Sequence, residues 1–213
     1  MPKPIAKPGH RPYRLHRPWT VLDSRELLDA DPFLKVRVET VELPDGRRID
    51  DYYQFDQPSF ACIFAETADG RIVTYRQYRH GPRKVGLVFP GGHLSPGEDP
   101  LAAAKRELME ETGMEAEAWT DLGTYIVNAN QGGAWSHMFR ATGCRRVADP
   151  IADDLEDTEI LHLTRAELLE AIGRGEMHLL TQIALVSMVW QADIARVLSR
   201  PHSPDTAGPD TAG

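Results

Sequence analysis

Apolar and polar residues alternate along much of the first half of the chain, a pattern typical of half-exposed β-strands. The segment 34–43 alternates with one phase shift and runs into Pro44-Asp45-Gly46, where proline presets φ and glycine supplies a positive one. A second strand at about 48–56 would close this hairpin. The pattern therefore predicts two paired strands in this part of the chain.

Three more apolar runs follow, at 59–66, 71–78 and 84–89. Ala68-Asp69-Gly70 separates the first two, so these are predicted to form another hairpin. The third run predicts one more strand and leads directly into the glycine-rich turn Pro90-Gly91-Gly92.

A helix with well-marked ends is predicted after this turn. Asp99 suits the N-cap, Pro100 the first helical position and Gly113 the position just past the end. Apolar residues at i, i+3 and i+7 form its buried stripe: Leu101, Ala104 and Leu108.

Two further helices are predicted near the end of the chain. Thr164 and Glu167 form a capping box before 165–172, which Gly173 ends, and about 181–199 carries apolar residues at helical spacing. The Met/Trp stripe of the last helix is interpreted as core or dimer packing: Met188 and Trp190. Strands first, a helix mid-chain and helices at the end indicate an α/β (α+β) fold in which a sheet lies between helices.

Composition narrows the possible partners. The chain has 213 residues, with 24 Lys+Arg against 32 Asp+Glu and a net charge of −8, which argues against binding to nucleic acid or an anionic membrane. No apolar run approaches 18 residues, so we expect a cytoplasmic protein without a membrane span.

The two cysteines, Cys62 and Cys144, are far apart in the sequence, which argues against structural zinc and against a disulfide framework. Cys62 is interpreted as a core residue.

The two ends differ from the rest in composition. Residues 1–18 are rich in Pro, Lys, Arg and His and are predicted to be a flexible basic arm. The segment 201–213 contains PDTAG twice in tandem, and a Pro/Gly-rich pentamer cannot build a core, so a flexible tail is predicted there.

The predicted central helix concentrates negative charge. Glu107 and Glu111 are one turn apart and Glu110 lies between them, so all three can reach a common space. Like charges at this spacing destabilise an isolated helix by roughly 0.2–0.5 kcal/mol per pair. The face is therefore either a solvated acidic surface or a site for a hard cation such as Mg²⁺, which prefers carboxylate oxygens.

The loop before this helix fits the cation hypothesis. Gly91 and Gly92 allow the backbone to approach a ligand closely, so a main-chain carbonyl could join a coordination shell. Glu98 could pair with Arg106 and hold the loop against the helix, in which case both residues are structural.

The loop and helix together resemble the Nudix box, G-x5-E-x7-R-E-U-x-E-E-x-G-U with U a bulky aliphatic residue. All nine fixed positions are matched: Gly92, Glu98, Arg106, Glu107, Leu108, Glu110, Glu111, Gly113 and Met114. The resemblance implies an α/β/α sandwich with a mixed sheet, and hydrolysis of a nucleoside diphosphate linked to another group with Mg²⁺ or Mn²⁺. It implies Glu107 and Glu111 as metal ligands, Glu110 as a shared ligand or supporting carboxylate, and the Gly91 carbonyl as a further ligand.

The segments 76–81 and 87–92 are similar to the ADP-ribose pyrophosphatase branch, which hydrolyses nucleoside diphosphate sugars. This similarity implies an N-terminal β-subdomain at 19–56 that helps to form a homodimer, a hydrolase domain at 57–200, and Arg79 as a pyrophosphate contact. It also implies a catalytic base in an acidic loop before the last strand, for which Glu156 is our choice among these candidates: Asp153, Asp154, Glu156, Asp157 and Glu159.

Two departures leave the substrate open. The branch usually has a glutamate where this chain has Val88, and a proline about fifteen residues after the box, which 121–135 lacks. Polar residues within this segment and just after it could contact a sugar or base, or satisfy local backbone groups: Asn128, Asn130, Gln131, Ser136 and His137. The resemblance to this branch predicts cleavage of ADP-ribose or a related nucleoside diphosphate sugar. The alternatives are a hydrolase of another nucleoside diphosphate derivative or of damaged nucleotides, and a non-catalytic nucleotide-sensing domain.

Overall fold

The structure is a computed structural model that describes residues 18–151 and 158–191. The tail predicted at 201–213, and the arm predicted at 1–18 except for Pro18, lie outside the described residues. The chain divides into two compact units, the first ending at Gln57 and the second beginning at Pro58.

From residue 18 onward, the first unit is an antiparallel meander of three strands: β1 (Thr20–Ala30), β2 (Leu34–Glu42) and β3 (Arg48–Asp56). The two strands predicted from the alternating pattern are β2 and β3, and the turn between them contains Gly46 at φ 85°. β1 was not predicted. All its residues are exposed, and its pairing with β2 contains two register shifts that interrupt the period-2 pattern.

In the described residues of the second unit, 58–151 and 158–191, there are seven strands and three helices. Its strands are β4 (Phe60–Thr67), β5 (Ile72–Arg79), β6 (Lys84–Val88), β7 (Met114–Glu115), β8 (Ala118–Asn128), β9 (Gly132–Arg146) and β10 (Thr158–Leu163). The central order is β9-β4-β5-β10, with β6 also paired to β5, and β7 and β8 to β9. The β4–β9 pair is parallel and the other pairs are antiparallel, so the sheet is mixed, as expected.

Helices cover both faces of this sheet: α1 (Pro100–Thr112), α2 (Arg165–Gly173) and α3 (Leu180–Trp190). Successive residues of β4 point to opposite faces. On one face Ala61 and Ile63 pack in a core with Leu108 of α1. On the other face Phe64 packs with Leu185 of α3. The second unit therefore has three layers, helix, sheet and helix, which confirms the predicted fold class.

The later helices follow the sequence pattern with one difference at a helix end. The capping box at Thr164 is present, but Gly173 is the last helical residue, Arg174 is the C-cap, and the positive φ of 75° falls at Gly175. The described part of α3 ends at Trp190, so the predicted extension at 192–199 lies outside the described residues.

The apolar side chains of α3 pack as predicted. Met188 and Trp190 lie against the core, and the Trp190 ring centroid is 5.9 Å from that of Phe64 in an edge-on arrangement. Cys62 is also a buried core residue, as expected. No helix among residues 18–151 and 158–191 is long and apolar enough to cross a membrane.

Candidate active site

The residues at the two ends of α1 fix where the helix begins and ends, and therefore the direction in which its glutamates point. Asp99 Oδ1 accepts a hydrogen bond from the Ala102 N–H at 2.9 Å, and Pro100 occupies the start of the helix. Gly113 ends the helix at φ 67°, and its N–H donates to the carbonyl of Met109 at 2.8 Å. With the apolar stripe of α1 buried against the sheet, the glutamates project beside it.

The loop before α1 runs along the edge of β4. The Ala61 N–H donates to the Gly92 carbonyl and the Ile63 N–H to the Pro90 carbonyl, both at 2.9 Å. Gly91 has φ 147°, and a Cβ there would lie 2.1 Å from the Ala61 carbonyl oxygen. Only glycine can bring the backbone this close to the strand.

Gly92 has a different requirement. A Cβ at this position would lie 2.4 Å from the Glu107 carboxyl carbon. The absence of a side chain therefore lets the Glu107 carboxylate lie directly against the loop backbone.

Arg106 connects this loop with two of the glutamates. Its Nε donates to Glu98 Oε1 at 2.9 Å and its Nη2 to Glu98 Oε2 at 3.1 Å, so the expected pair between these residues is present. Its Nη1 donates to Glu107 Oε1 at 2.8 Å and to Glu110 Oε2 at 2.9 Å, and its Nη2 also donates to the His93 carbonyl at 3.1 Å. One guanidinium thus holds three carboxylates and the loop together.

The surroundings shift the acidity of two of these carboxyls in opposite directions. Hydrogen bonds from Arg106, and then from the Ser95 N–H, lower the pKa of Glu98 to about 2. Burial raises the pKa of Glu107, against the opposing hydrogen bond and charge of Arg106. The hydrogen-bond donors therefore favour the ionised form of Glu98, whereas burial disfavours the ionised form of Glu107.

Glu111 is held by different partners. Its Oε2 accepts the Gly91 N–H at 2.9 Å and the Tyr75 hydroxyl at 3.2 Å. Tyr75 lies on β5, is 1 % exposed, and was not identified from the sequence. The sequence did contain a signal for its position, since alternation along the strand 71–78 places Tyr75 on the same face as Val73. Val73 packs in the core beneath α1.

Arg79 is the last residue of β5, half-buried, and four positions beyond Tyr75 on the same face. Burial, and then the charge of Glu111, raises the pKa of the Cys62 thiol to about 12, while the charge of Arg79 acts in the opposite direction. Both charges thus lie within electrostatic reach of one buried thiol.

Most of the acidic loop lies outside the described residues. It holds Glu156, the expected base, and three other candidates: Asp153, Asp154 and Asp157. The fifth candidate, Glu159, is on β10, with its carboxylate 3.5 Å from Arg76 Nε. Thr158 begins β10, and its Oγ1 accepts a hydrogen bond from Gln77 Nε2 at 3.0 Å, which ties the end of this loop to β5.

The polar residues after the box form the turn of the β8–β9 hairpin and the start of β9. Asn128 Oδ1 accepts the N–H groups of Asn130 and Gln131 at 3.0 and 3.2 Å, and its Nδ2 donates to Gln131 Oε1 at 3.0 Å. Ser136 is buried in β9, and His137 Nδ1 lies 2.9 Å from Thr124 Oγ1. The Asn128 side chain thus satisfies local backbone groups, which was the alternative to a ligand contact.

The atoms that this site could offer to a metal are oxygens, which are the ligands that a hard cation prefers. Three glutamate carboxylates and a glycine-lined loop backbone supply only oxygen ligands, which suit Mg²⁺ or Mn²⁺. Over the described parts of the chain, however, no three or more His, Cys, Asp or Glu side chains are already grouped to hold a metal ion. Glu107 and Glu110 contact Arg106 instead, and Glu111 contacts Gly91 and Tyr75.

Comparison with known proteins matches both units of the chain. Residues 56–180 match the NUDIX domain, and residues 19–55 match the nucleoside diphosphate sugar hydrolase N-terminal domain.

Similar sequences occur in several bacteria. The chain is 31% identical to the methanol dehydrogenase activator of Bacillus methanolicus, over 68% of this chain and 78% of that protein. It is 26% identical to the ADP-ribose pyrophosphatase of Bacillus subtilis, over 73% of this chain and 84% of that protein. It is 27% identical to the ADP-ribose pyrophosphatase of Mycobacterium tuberculosis, over 86% and 88%.

A solved structure has the same fold. The crystal structure of an ADP compounds hydrolase matches 84% of this chain and 95% of its own, with a TM-score of 0.73 and 19% identity. At this identity the match shows that the two proteins share a fold.

Proposed function

Because this chain belongs to the NUDIX family, whose model matches residues 56–180, we propose that it is a pyrophosphohydrolase of ADP-ribose or a related nucleoside diphosphate sugar. The products would be a nucleoside monophosphate and a sugar phosphate. The match of residues 19–55 to a nucleoside diphosphate sugar hydrolase N-terminal domain supports this substrate class over damaged nucleotides.

One observation carries the proposal: two glutamates of α1 lie directly against the backbone of the Gly91–Gly92 loop. Glu107 lies against Gly92, and Glu111 accepts the Gly91 N–H. We propose that Glu107, Glu110, Glu111 and the Gly91 carbonyl hold Mg²⁺ or Mn²⁺. A bound divalent cation would neutralise diphosphate charge and lower the pKa of a water ligand.

The chain's own residues have separate tasks in this proposal. Glu98 and Arg106 brace the loop against α1, and Glu110 and Glu111 also act as catalytic carboxylates. Arg79, at the end of β5, would bind the diphosphate as a charged donor. Glu156, which lies outside the described residues, is our proposed base that removes the proton from the attacking water.

We also propose that the protein is a cytoplasmic homodimer that associates through its first unit. The exposed strand β1 carries several large apolar side chains, which supports such an interface: Val21, Leu22, Leu27 and Leu28. Cys62 and Cys144 are buried free thiols, as is usual in a reducing compartment.

The proposed reaction is tested with a panel of nucleoside diphosphate sugars and Mg²⁺, followed by chromatography of the products. We expect a nucleoside monophosphate and a sugar phosphate in equal amounts. Glu111→Gln should lower turnover by at least about 10²-fold, as the loss of another charge-stabilising group does. Glu115→Gln is the matched control, because Glu115 is exposed on β7, with its carboxylate 3.5 Å from Arg145 Nη2, and this variant should keep its activity.

Two results would contradict the proposed reaction, and a third would contradict the role of Glu111. A folded protein that cleaves no nucleoside diphosphate derivative with metal present would not be this enzyme, and tight binding of ADP-ribose without its consumption would indicate a sensor. Near wild-type turnover of Glu111→Gln would remove Glu111 from the mechanism.

A further inference from the structure

Tyr75 places a hydroxyl group inside the second unit, next to a box glutamate. Its side chain is 1 % exposed on the face of β5 that packs toward α1. A buried tyrosine hydroxyl normally has a hydrogen-bond partner. Here the hydroxyl lies 3.2 Å from Glu111 Oε2, so a residue of the sheet contacts a residue of the candidate metal site.

A second donor reaches the same oxygen from another element. The Gly91 N–H donates to Glu111 Oε2 at 2.9 Å. Gly91 has little freedom to move, since its Cα approaches the strand so closely that a Cβ would lie 2.1 Å from the Ala61 carbonyl oxygen. Two donors from β5 and the loop therefore fix the position of one carboxylate oxygen.

This arrangement differs from that of the other two glutamates. Glu107 and Glu110 both contact the charged guanidinium of Arg106, whose side chain is 34% exposed and belongs to the same helix. Tyr75 and Gly91 are neutral donors, so their hydrogen bonds orient the Glu111 carboxylate without adding a positive charge beside it. Hydrogen bonds from such outer partners orient metal ligands and tune metal affinity.

We propose that Tyr75 is a positioning residue whose hydroxyl holds the Glu111 carboxylate in the orientation that binds a divalent cation. This inference rests on the proposed function for the role of Glu111 as a metal ligand. In this role Tyr75 acts through Glu111, which its hydroxyl contacts.

The test is Mn²⁺ binding by the full chain without substrate, followed by electron paramagnetic resonance of the free ion. Tyr75→Phe removes only the hydroxyl and should raise the Mn²⁺ dissociation constant about 10-fold, the lower end of the usual effect of an outer partner. Tyr78→Phe is the matched control on the same strand, because the Tyr78 hydroxyl lies 3.1 Å from His80 Nδ1 and its side chain is 39% exposed. Its dissociation constant should equal that of the wild type.

A double-mutant cycle shows whether Tyr75 acts through Glu111. In a Glu111→Gln background, Tyr75→Phe should change Mn²⁺ affinity little, because the coupled partner is already altered. Additive effects of the two substitutions would overturn the inference. If Tyr75→Phe fails to fold, Tyr75→Met also lacks the hydroxyl, and its flexible side chain can fill the space.

The outcomes separate this inference from the proposed reaction. An unchanged dissociation constant in a folded Tyr75→Phe protein would overturn the role of Tyr75, and so would a wild type that binds no Mn²⁺. A wild type that binds Mn²⁺ but cleaves no nucleoside diphosphate sugar would contradict the reaction alone. Weaker binding in Tyr75→Phe would still support the positioning role in that case.

Discussion

At the residue scale, Arg106 offsets part of the negative charge on the acidic side of α1. Its guanidinium is a planar fork that can bind several carboxylates at fixed angles, which a lysine cannot do. It contacts Glu98, Glu107 and Glu110, and hydrogen bonds, first of all that to Glu98, raise the pKa of Arg106 further above its ordinary value. The glutamates that would repel each other are thus stabilised by one shared arginine.

Glu98 makes this brace dependent on pH. Hydrogen bonds from Arg106 and Ser95 lower its pKa to about 2, whereas an unfolded glutamate has a pKa of about 4.3. A carboxyl with a lowered folded-state pKa stabilises the protein above the unfolded value, and this contribution is lost as the pH falls toward the folded value. The Glu98 brace should therefore weaken between about pH 4.3 and pH 2.

We predict that Glu98→Gln melts below the wild type at pH 7 and that the difference in Tm narrows as the pH falls below about 4.3, where Glu98 begins to be protonated in the unfolded chain. Circular dichroism melts from pH 7 to pH 3 measure this difference. Glu115→Gln, at an exposed glutamate 3.5 Å from Arg145, should change Tm little. A Tm difference for Glu98→Gln that stays constant across the range would contradict the assigned brace.

At the scale of elements, the sequence predicts well those segments whose ends are marked by local chemistry. The N-cap, first-turn proline and terminal glycine located α1, and Gly46 and Gly70 located two hairpin turns. Each of these signals acts within a few residues, so it is visible without the rest of the fold.

The elements that were missed depend on distant residues. β1 carries register shifts that break its alternation, and β9 gains its place from parallel pairing with β4. Tyr75 was likewise missed, because its contact with Glu111 joins residues 36 positions apart. The glutamates were found because a contiguous motif contains them, whereas the strand that supports them lies elsewhere in the sequence.

The capping box of α2 allows a test at this scale. Thr164 Oγ1 accepts the Glu167 N–H at 3.2 Å, and Glu167 Oε2 accepts the Thr164 N–H at 2.7 Å. We predict that Thr164→Ala lowers the free energy of unfolding by about 1 kcal/mol, measured by urea denaturation. Glu170→Ala is the control on the same helix, since its exposed pair with Arg174 at 3.3 Å should contribute less than about 0.5 kcal/mol. Equal losses in the two variants would contradict the role of the cap.

At the scale of the whole molecule, the two units bury apolar surface to different extents. The second unit has two cores, one on each face of its sheet, that enclose residues such as Ile63 and Phe64 completely. The first unit leaves β1 exposed along its whole length, with Val21 and Leu28 54% and 48% accessible. A long exposed strand with apolar side chains is a surface that commonly pairs with another chain.

We therefore predict that the protein sediments as a dimer and that Leu28→Glu shifts it toward the monomer, because a charge in an apolar interface is desolvated without a partner. Sedimentation velocity over a range of concentrations measures the change. Leu180→Glu is the matched control: Leu180 is 82% exposed at the start of α3 in the second unit, and the same substitution there should leave the dimer intact. A monomeric wild type, or equal dissociation of both variants, would mean that the exposed face of β1 does not mediate the association.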